Sequence, residues 1–428
     1  MARGKAGPVT AVEEKRSWLS RHAIDVRPLR HPAFRRMFIG NGISFVGYQF
    51  TAVAVPVQVY DLTRSNLWVG MVSFAGLLPL ILFSLWGGAV ADAFDRRKVL
   101  LISSVLMWTT TLGLLAQALL RLDSPSIILV LVMLQSGAFA VSNPTRSAIT
   151  PRLMSAEEVA SAQTLNYTVS TFAGVAGPIL AGIVVANADI AIAYGVDAVA
   201  FTVALWAALR LPPLLPEGTS GGRLQDVREG LKFLAGAQVL LLTFAIDIAA
   251  MVLAMPRALF PAVAAERFGA SSLSWLYSAI AIGSVVAGVT SGWISRVRRQ
   301  GIALIVAVFA WGVAVALSGA VPWLWAVVLF LAIGGAADMI SAVYRQTMLL
   351  TYAPDEMRGR LQGVFFAVVA GGPRLGDLRA GTMAQYTSTT FSWVTGGLAA
   401  AVVALLIGLF FPKLRQYRTA VASEDPPK

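Results

Sequence analysis

Twelve long apolar runs follow one another along the chain, and their length restricts the possible folds more than any other feature. A helix needs roughly 20 apolar residues to cross the hydrocarbon core of a membrane. By that measure we expect spans near 36–60, 66–90, 98–120, 125–149, 159–186, 189–210, 238–265, 270–294, 300–319, 322–349, 361–386 and 391–411. The sequence therefore predicts an all-α polytopic membrane protein with twelve transmembrane helices.

The composition agrees with a protein embedded in a lipid bilayer. The chain is 57% hydrophobic and only 13% charged, whereas soluble domains are about 25% charged. Its net charge of +12 could indicate a nucleic-acid partner, but the basic residues lie between the apolar runs rather than on one soluble face. We therefore expect the lipid bilayer, and no nucleic acid, as the macromolecular partner.

Lysine and arginine are concentrated in alternate loops. The segment before the first span, the stretches 96–98, 210–232 and 296–299, and the end of the chain hold most of them. The intervening loops hold only Arg64, Arg121 and Arg267. By the positive-inside rule we expect both termini in the cytoplasm, a retained first span and a location in the plasma (inner) membrane.

The two halves of the chain repeat at a constant offset of 199 residues. The matching pairs are Arg146 and Arg345, Glu157 and Glu356, Gln163 and Gln362, Gly177 and Gly376, and Gly182 and Gly381. Such a repeat predicts two pseudo-symmetric six-helix bundles related by an axis along the membrane normal. The expected domains are a basic tail (1–35), a first bundle (36–211), a linker with an amphipathic helix (212–237), a second bundle (238–412) and a C-terminal tail (413–428).

A loop between the second and third spans, residues 87–98, is the densest cluster of charge in the sequence. Its Gly88, Asp92 and following basic residues resemble the loop signature of the major facilitator superfamily. The corresponding stretch 292–299 keeps the cations and has Arg296 in place of the aspartate. We interpret the loop as a conformational latch; the alternative is an ordinary basic cytoplasmic loop. The latch set is Gly88, Asp92, Arg96, Arg97, Arg146, Glu157, Arg345 and Glu356, with the last four expected to pair as arginine and loop carboxylate.

The fifth span carries a glycine and proline pattern made of Gly174, Gly177, Pro178 and Gly182. It resembles a motif of the drug:proton antiporters in the same superfamily, with Ala181 where a glycine is usual. Proline removes a backbone hydrogen bond, and glycines permit close helix contact, here expected with the opposite half. A generic kinked membrane helix is the alternative interpretation.

Further motifs resemble the enterobactin (siderophore) exporter family over most of the chain. They lie at residues 31–35, 53–58, 230–234, 260–262, 276–280, 290–292, 346–349 and 354–360, together with the charged loop. The resemblance implies proton antiport that exports a bulky amphipathic small molecule, a siderophore or a drug-like compound, by alternating access. The chain differs from those exporters in its charged span eleven.

Ionisable residues inside spans are costly, so each is a functional candidate. For proton coupling we select Asp377 first, then Asp247 and Asp338, with Arg374 as a neighbouring cation. Arg374 and Asp377 are three residues apart and could instead neutralise each other. For the substrate cavity we select Gln49, Gln135, Asn143, Asp197 and Arg257.

Two other functions stay open at this point. Proton-coupled uptake by a symporter shares the fold and the buried charges, and a non-transporting membrane sensor or assembly partner is the other alternative. The sequence offers no nucleophile with a base, no metal-ligand cluster and no phosphate loop, so we expect no enzyme, no cofactor and no metal. We expect a monomer that binds its small-molecule substrate and protons.

Overall fold

The structure is a computed structural model, which describes residues 25–83, 94–215, 229 and 232–418. Twelve long helices, α1 to α12 in chain order, make up most of this part. They are α1 (Pro32–Thr63), α2 (Asn66–Ala75, in the span Asn66–Phe83), α3 (Arg96–Leu119), α4 (Pro125–Ile149), α5 (Ala156–Asn187), α6 (Ile190–Leu209), α7 (Gln238–Ala254), α8 (Ser272–Val289), α9 (Gln300–Ala320), α10 (Leu324–Tyr352), α11 (Asp355–Tyr386) and α12 (Thr389–Phe410).

Eleven of these helices are long and apolar enough to cross a membrane. The twelfth, α11, has 32 residues but carries charges along its length. At about 1.5 Å per residue it is long enough to span a bilayer, and it packs against α2, α7 and α12. The protein is therefore the expected all-α membrane protein with twelve transmembrane helices.

Successive helices run in opposite directions, which gives the bundle two ends. We call the end that carries both chain termini the terminal side, and the end that carries the α1–α2 loop the distal side. At the terminal side, the Ser161 hydroxyl donates to Asp25 (2.9 Å) and His31 binds Glu158 (2.8 Å). The hydrogen bonds from Arg27 hold the pKa of Asp25 below its ordinary value. These contacts fasten the start of α1 to the start of α5.

Several expected boundaries move in the structure. α1 begins at Pro32 and α11 at Asp355, so both start earlier than the expected 36 and 361. Prolines 32 and 354 explain these starts, since proline is compatible with the first turn of a helix or the position before it. Most of the predicted basic tail (residues 1–24) and of the linker helix (216–228, 230 and 231) lies outside the described residues.

The seventh span is broken, although the sequence analysis predicted one continuous helix. α7 ends at Ala254, Met255 is extended, and three short helical segments continue to Phe268. Pro256 has no N–H to donate to the carbonyl of Val252, and its ring clashes with the preceding turn. Arg379 Nε instead donates to that carbonyl (3.4 Å). The break therefore frees backbone groups inside the span Gln238–Phe268, and side chains of α11 satisfy them.

Among the described helices, two pairs join the halves. α2 packs against α11, and α5 packs against α8, whereas the other extensive helix contacts lie within α1–α6 or within α7–α12. Around them, the distal loops add polar contacts: Tyr60 donates to Glu266 (2.8 Å), and Ser65 donates to Gln385 (2.8 Å). The distal side is thus closed by both helix packing and hydrogen bonds.

Glycines paired by the sequence repeat make these contacts possible. A Cβ atom on Gly182 of α5 would lie 2.5 Å from the backbone of Ser274 in α8. Gly381 of α11, its repeat partner, lies directly against the backbone of Asn66 in α2. The two halves therefore repeat in structure as well as in sequence. At equivalent positions of α5 and α11, each half has a glycine that contacts the backbone of the other half.

The other glycines of the helix-five motif do not touch the opposite half as expected. Gly177 packs against the side chain of Gln49 in the same half, and a Cβ on Gly174 would meet nothing within 4 Å. A glycine's role here depends on which face of α5 it occupies, and the face of Gly174 borders open space. The predicted contact with the opposite half is therefore correct for Gly182 only.

Gly182→Ala should weaken the junction between the halves, while Gly174→Ala should not. The new methyl group of Gly182→Ala would overlap backbone atoms, which costs about 1–3 kcal/mol, whereas Gly174→Ala gains helix propensity in open space. Unfolding titrations with dodecyl sulfate on the purified protein would measure both. Equal stability of the two variants would contradict this account of the α5–α8 contact.

Candidate functional site

A cavity of about 440 Å³ lies between the two halves. We call it the central cavity. Predicted site residues on its wall are Gln49, Gln135, Gly174, Pro178, Arg257, Arg374 and Asp377. The cavity therefore brings together residues of α1, α4, α5 and α11 with Arg257, which lies after the break in the seventh span.

A second cavity of about 390 Å³ lies inside the first half, nearer the terminal side. We call it the N-half cavity. Asn143 and Arg146 of α4 line it, and Tyr48 and Phe139 line both cavities. The two cavities therefore adjoin at Tyr48 and Phe139, and we call them together the path.

Residues of α5 border the path. Tyr167, on the wall of the N-half cavity, is 69% exposed. Tyr167 lies on the terminal-side half of α5, and Gly174, with its empty surroundings, lies just past the middle of that helix on the wall of the central cavity. The described contacts between the halves close the distal side.

Asp377 is the buried carboxylate at the closed end of the central cavity. It accepts a hydrogen bond from the Ser73 hydroxyl of α2 (2.6 Å) and another from the backbone N–H of Ala258 (3.1 Å). That N–H is available because the helix is broken at Pro256. Asp377 therefore links three elements, one of which belongs to the opposite half.

Arg374 makes a second polar contact across the halves. Its Nη1 donates to the Ser136 hydroxyl of α4 (3.2 Å). Arg374 and Asp377 thus bind different partners in the first half, and they also attract each other electrostatically. Arg257, on the turn after the helix break, lies close enough to interact electrostatically with Asp377 and Asp338.

Asp247 and Asp338 form a separate charged cluster around Arg345. Arg345 of α10 forms an ion pair with Asp247 of α7, and its Nη2 lies 3.7 Å from Asp338. Arg345 and Asp247 are both buried. The structure thus places Arg345 with carboxylates inside its own bundle, where we had expected the loop residue Glu356; the side chain of Glu356 lies outside the described set.

Asp197 occupies a closed pocket of the first half and does not line either cavity described above. It is fully buried, accepts hydrogen bonds from Thr51 (2.5 Å) and Thr111 (3.5 Å), and leaves its Oδ1 without a partner in the described part of the chain. Gln135 donates to Thr111 (3.1 Å). Because Thr51 and Gln135 also line the central cavity, they separate Asp197 from it by one layer of side chains.

Three latch residues of the first half, Arg96, Arg97 and Arg146, donate hydrogen bonds within that half. Arg96 donates to the carbonyl of Ala148 (3.3 Å) and Arg97 to that of Leu209 (2.8 Å). Arg146 donates to Asn41 (2.6 Å) and Ser142 (3.1 Å) rather than to Glu157, which is exposed. Gly88 and Asp92 lie outside the described residues.

Several site residues carry no recognisable signal in the sequence. Ser73 and Ser136 are isolated serines in spans, and serine is too common there to stand out. The Ala258 N–H is a backbone group that only the helix break exposes. The stretch Met255-Pro256 did contain that signal, since a proline inside an apolar run indicates a break or kink.

Comparison with known proteins identifies the family. A family model described as transmembrane secretion effector matches residues 23–426. The chain belongs to that family. It is also 29% identical to the enterobactin exporters of Shigella boydii serotype 18 and Escherichia coli O157:H7, over 94% of this chain and 97% of each relative.

Solved structures of transporters share the fold. The nucleoside transporter NupG superposes with a TM-score of 0.70 at 16% identity, covering 90% of this chain and 100% of that one. A D-xylose-proton symporter gives a TM-score of 0.67 at 12% identity, with 91% and 100% coverage. The chain therefore has the major facilitator fold of two six-helix bundles.

Asp247→Asn should destabilise the protein more than Asp338→Asn. Removing one partner of a buried ion pair costs about 3–5 kcal/mol because the other charge stays buried, whereas Asp338 is a more distant and partly exposed neighbour of Arg345. Dodecyl sulfate unfolding of both variants would measure the difference. The double variant Asp247→Leu/Arg345→Met should recover part of the loss, and a double variant as unstable as Asp247→Asn would contradict the ion-pair explanation.

Proposed function

We propose that the protein exports a small amphipathic molecule in exchange for protons, with its two halves opening the central cavity to each side in turn. Its curated relatives are named as enterobactin exporters, which supports export and a siderophore or drug-like cargo. With the termini in the cytoplasm of a plasma (inner) membrane protein, we propose that the path opens at the terminal side, toward the cytoplasm. The structure then corresponds to the inward-open state of a monomer.

The observation that carries this proposal is the position of Asp377. It lies on the wall of the central cavity and at the same time accepts a hydrogen bond from Ser73 across the closed junction. A titratable group that contacts both the cargo space and the moving junction can couple the two. None of Asp247, Asp338 or Asp197 lines the central cavity described above.

Protonation of Asp377 would change the strength of the distal closure. The carboxylate accepts bonds from the Ser73 hydroxyl and the Ala258 N–H. Hydrogen bonds to an ionised acceptor are roughly twice as strong as neutral ones, so protonation weakens both bonds and the attraction to Arg257 and Arg374. Release of the proton toward the terminal side restores the carboxylate and holds the distal side closed while cargo enters.

The residues that line the path support the proposed binding of cargo. Gln49, Gln135 and Asn143 supply hydrogen-bonding groups without charge, and Arg257 adds a cation. We propose these four as cargo contacts. Asp197 lies one layer behind, so its part in binding is indirect, through Thr51 and Gln135.

Export should depend on the proton gradient and on Asp377. In inside-out vesicles, wild-type protein should accumulate enterobactin only while a proton gradient is present, and a protonophore should abolish accumulation. Asp377→Asn should reduce gradient-driven accumulation to background with normal yield and folding. Asp189→Asn is the matched control, because Asp189 is an exposed helix cap and asparagine caps equally well.

Two results would contradict parts of this proposal. Accumulation that resists the protonophore excludes proton antiport, and full transport by Asp377→Asn returns that residue to a structural role. Gradient-driven accumulation in right-side-out vesicles instead identifies an uptake symporter. Metabolite profiling of a deletion strain under iron starvation decides whether the cargo is a siderophore, which should build up inside the cells.

The Ser73 to Asp377 bond should favour the distally closed state. The chain has no cysteine, so spin labels on Arg64→Cys and Thr387→Cys would report the distal gap directly. Ser73→Ala should increase the long-distance population about tenfold if the charged bond contributes about 1.5 kcal/mol. Ser103→Ala, whose hydroxyl binds carbonyls of its own helix, should leave the distances unchanged; a shift of equal size there would contradict the assignment.

A further inference from the structure

The two arginines that the repeat pairs differ in their counter-charges. Arg345 of α10 reaches α7 and meets the carboxylate of Asp247, with Asp338 nearby. Arg146 of α4 reaches α1 in the same way but meets Asn41, a neutral amide (2.6 Å). Within the described part of the chain, the same arginine is therefore neutralised in the second half and left without a counter-ion in the first.

The positively charged guanidinium group of Arg146 lies on the wall of the N-half cavity. Of the described residues that line that cavity, Arg146 is the one with a charged side chain. Its Nε and Nη1 bind Ser142 and Asn41, and its Nη2 makes no hydrogen bond to any residue that the structure describes. Neutral groups thus hold the Nε and Nη1 atoms of the guanidinium in place, while Nη2 stays available to donate to a ligand.

A cation in such a site favours an anionic ligand. A buried or partly buried charge without a partner loses solvation that nothing replaces, and an opposite charge recovers that loss. Guanidinium groups bind carboxylates with two parallel hydrogen bonds, which gives direction as well as attraction. Charge alone therefore predicts that an organic anion enters this cavity more readily than a neutral analogue.

The rest of the wall indicates what the anion is attached to. Six aromatic side chains line the cavity: Phe38, Phe45, Tyr48, Phe139, Tyr167 and Phe201. Their faces and edges pack well against a flat ring. Asn143, Gln163 and Asn166 add neutral hydrogen-bonding groups.

We propose that the N-half cavity is a binding site for organic anions that carry an aromatic ring, with Arg146 as their counter-ion. The site lies on the terminal side of the central cavity, so cargo that enters from that side would reach it first. This inference rests on the proposed transport function only in identifying the occupant as cargo. Binding itself requires no transport.

The test uses two probes of nearly equal size, 1-naphthoate and its neutral amide, 1-naphthamide. Isothermal titration of the purified full-length protein should show naphthoate binding about tenfold more tightly or better, since a hydrogen bond to a charged group contributes about 1.5–3 kcal/mol. Arg146→Gln should remove this preference, and Arg146→Lys should retain most of it.

Asn41→Asp gives an independent variant should Arg146→Gln fail to fold. It changes no side-chain size, installs the carboxylate that the second half already has, and should also abolish the preference for naphthoate. Arg152→Gln is the matched control, because Arg152 is a half-buried arginine outside the cavity lining whose Nη2 donates to the carbonyl of Leu215, and it should keep the preference.

Three outcomes would overturn the inference. They are equal binding of the two probes, no naphthoate binding at millimolar concentration, and a preference that survives both Arg146→Gln and Asn41→Asp. The vesicle experiment separates this result from the transport proposal. Anion preference without gradient-driven export contradicts the transport proposal alone, and gradient-driven export without anion preference contradicts this inference alone.

Discussion

Close contact between backbones across the two halves is the interaction on which the rest of the structure depends. In a membrane, lipid tails are as apolar as the helices, so association relies on packing and hydrogen bonds rather than on the hydrophobic effect. Gly182 against α8 and Gly381 against α2 allow that packing at two related points. The distal side closes there, and the N-half cavity lies toward the other end.

The charges of the protein are arranged around this junction. Asp377 and Arg374 each bind a serine of the opposite half. The contact between the halves therefore contains hydrogen bonds whose strength depends on the ionisation of these side chains. The cluster of Asp247, Asp338 and Arg345 lies within one half and is internally compensated. Burying ionisable groups is costly. The compensated cluster therefore stabilises one bundle, whereas Asp377 lies where the two bundles meet.

The break in the seventh span connects backbone structure with this chemistry. Pro256 ends α7 inside the membrane, the freed N–H of Ala258 donates to Asp377, and Arg379 donates to the freed carbonyl of Val252. Non-helical backbone at membrane depth is stable only where protein satisfies its polar groups. Here α11 does so with one acidic and one basic side chain.

The sequence by itself determined the class of fold. The length of the apolar runs, the asymmetric distribution of basic residues between the loops and the repeat at a fixed offset depend on the chain alone, and not on how the helices pack. It also selected Asp377, Arg374 and Arg257, since an ionised residue in an apolar run stands out whatever its neighbours. Only the tertiary structure decided which arginine meets a carboxylate and which meets Asn41, and which glycine of α5 touches the other half. These contacts depend on the rotation of each helix about its axis and on which helices are its neighbours. The spacing of residues within one helix does not determine either of these.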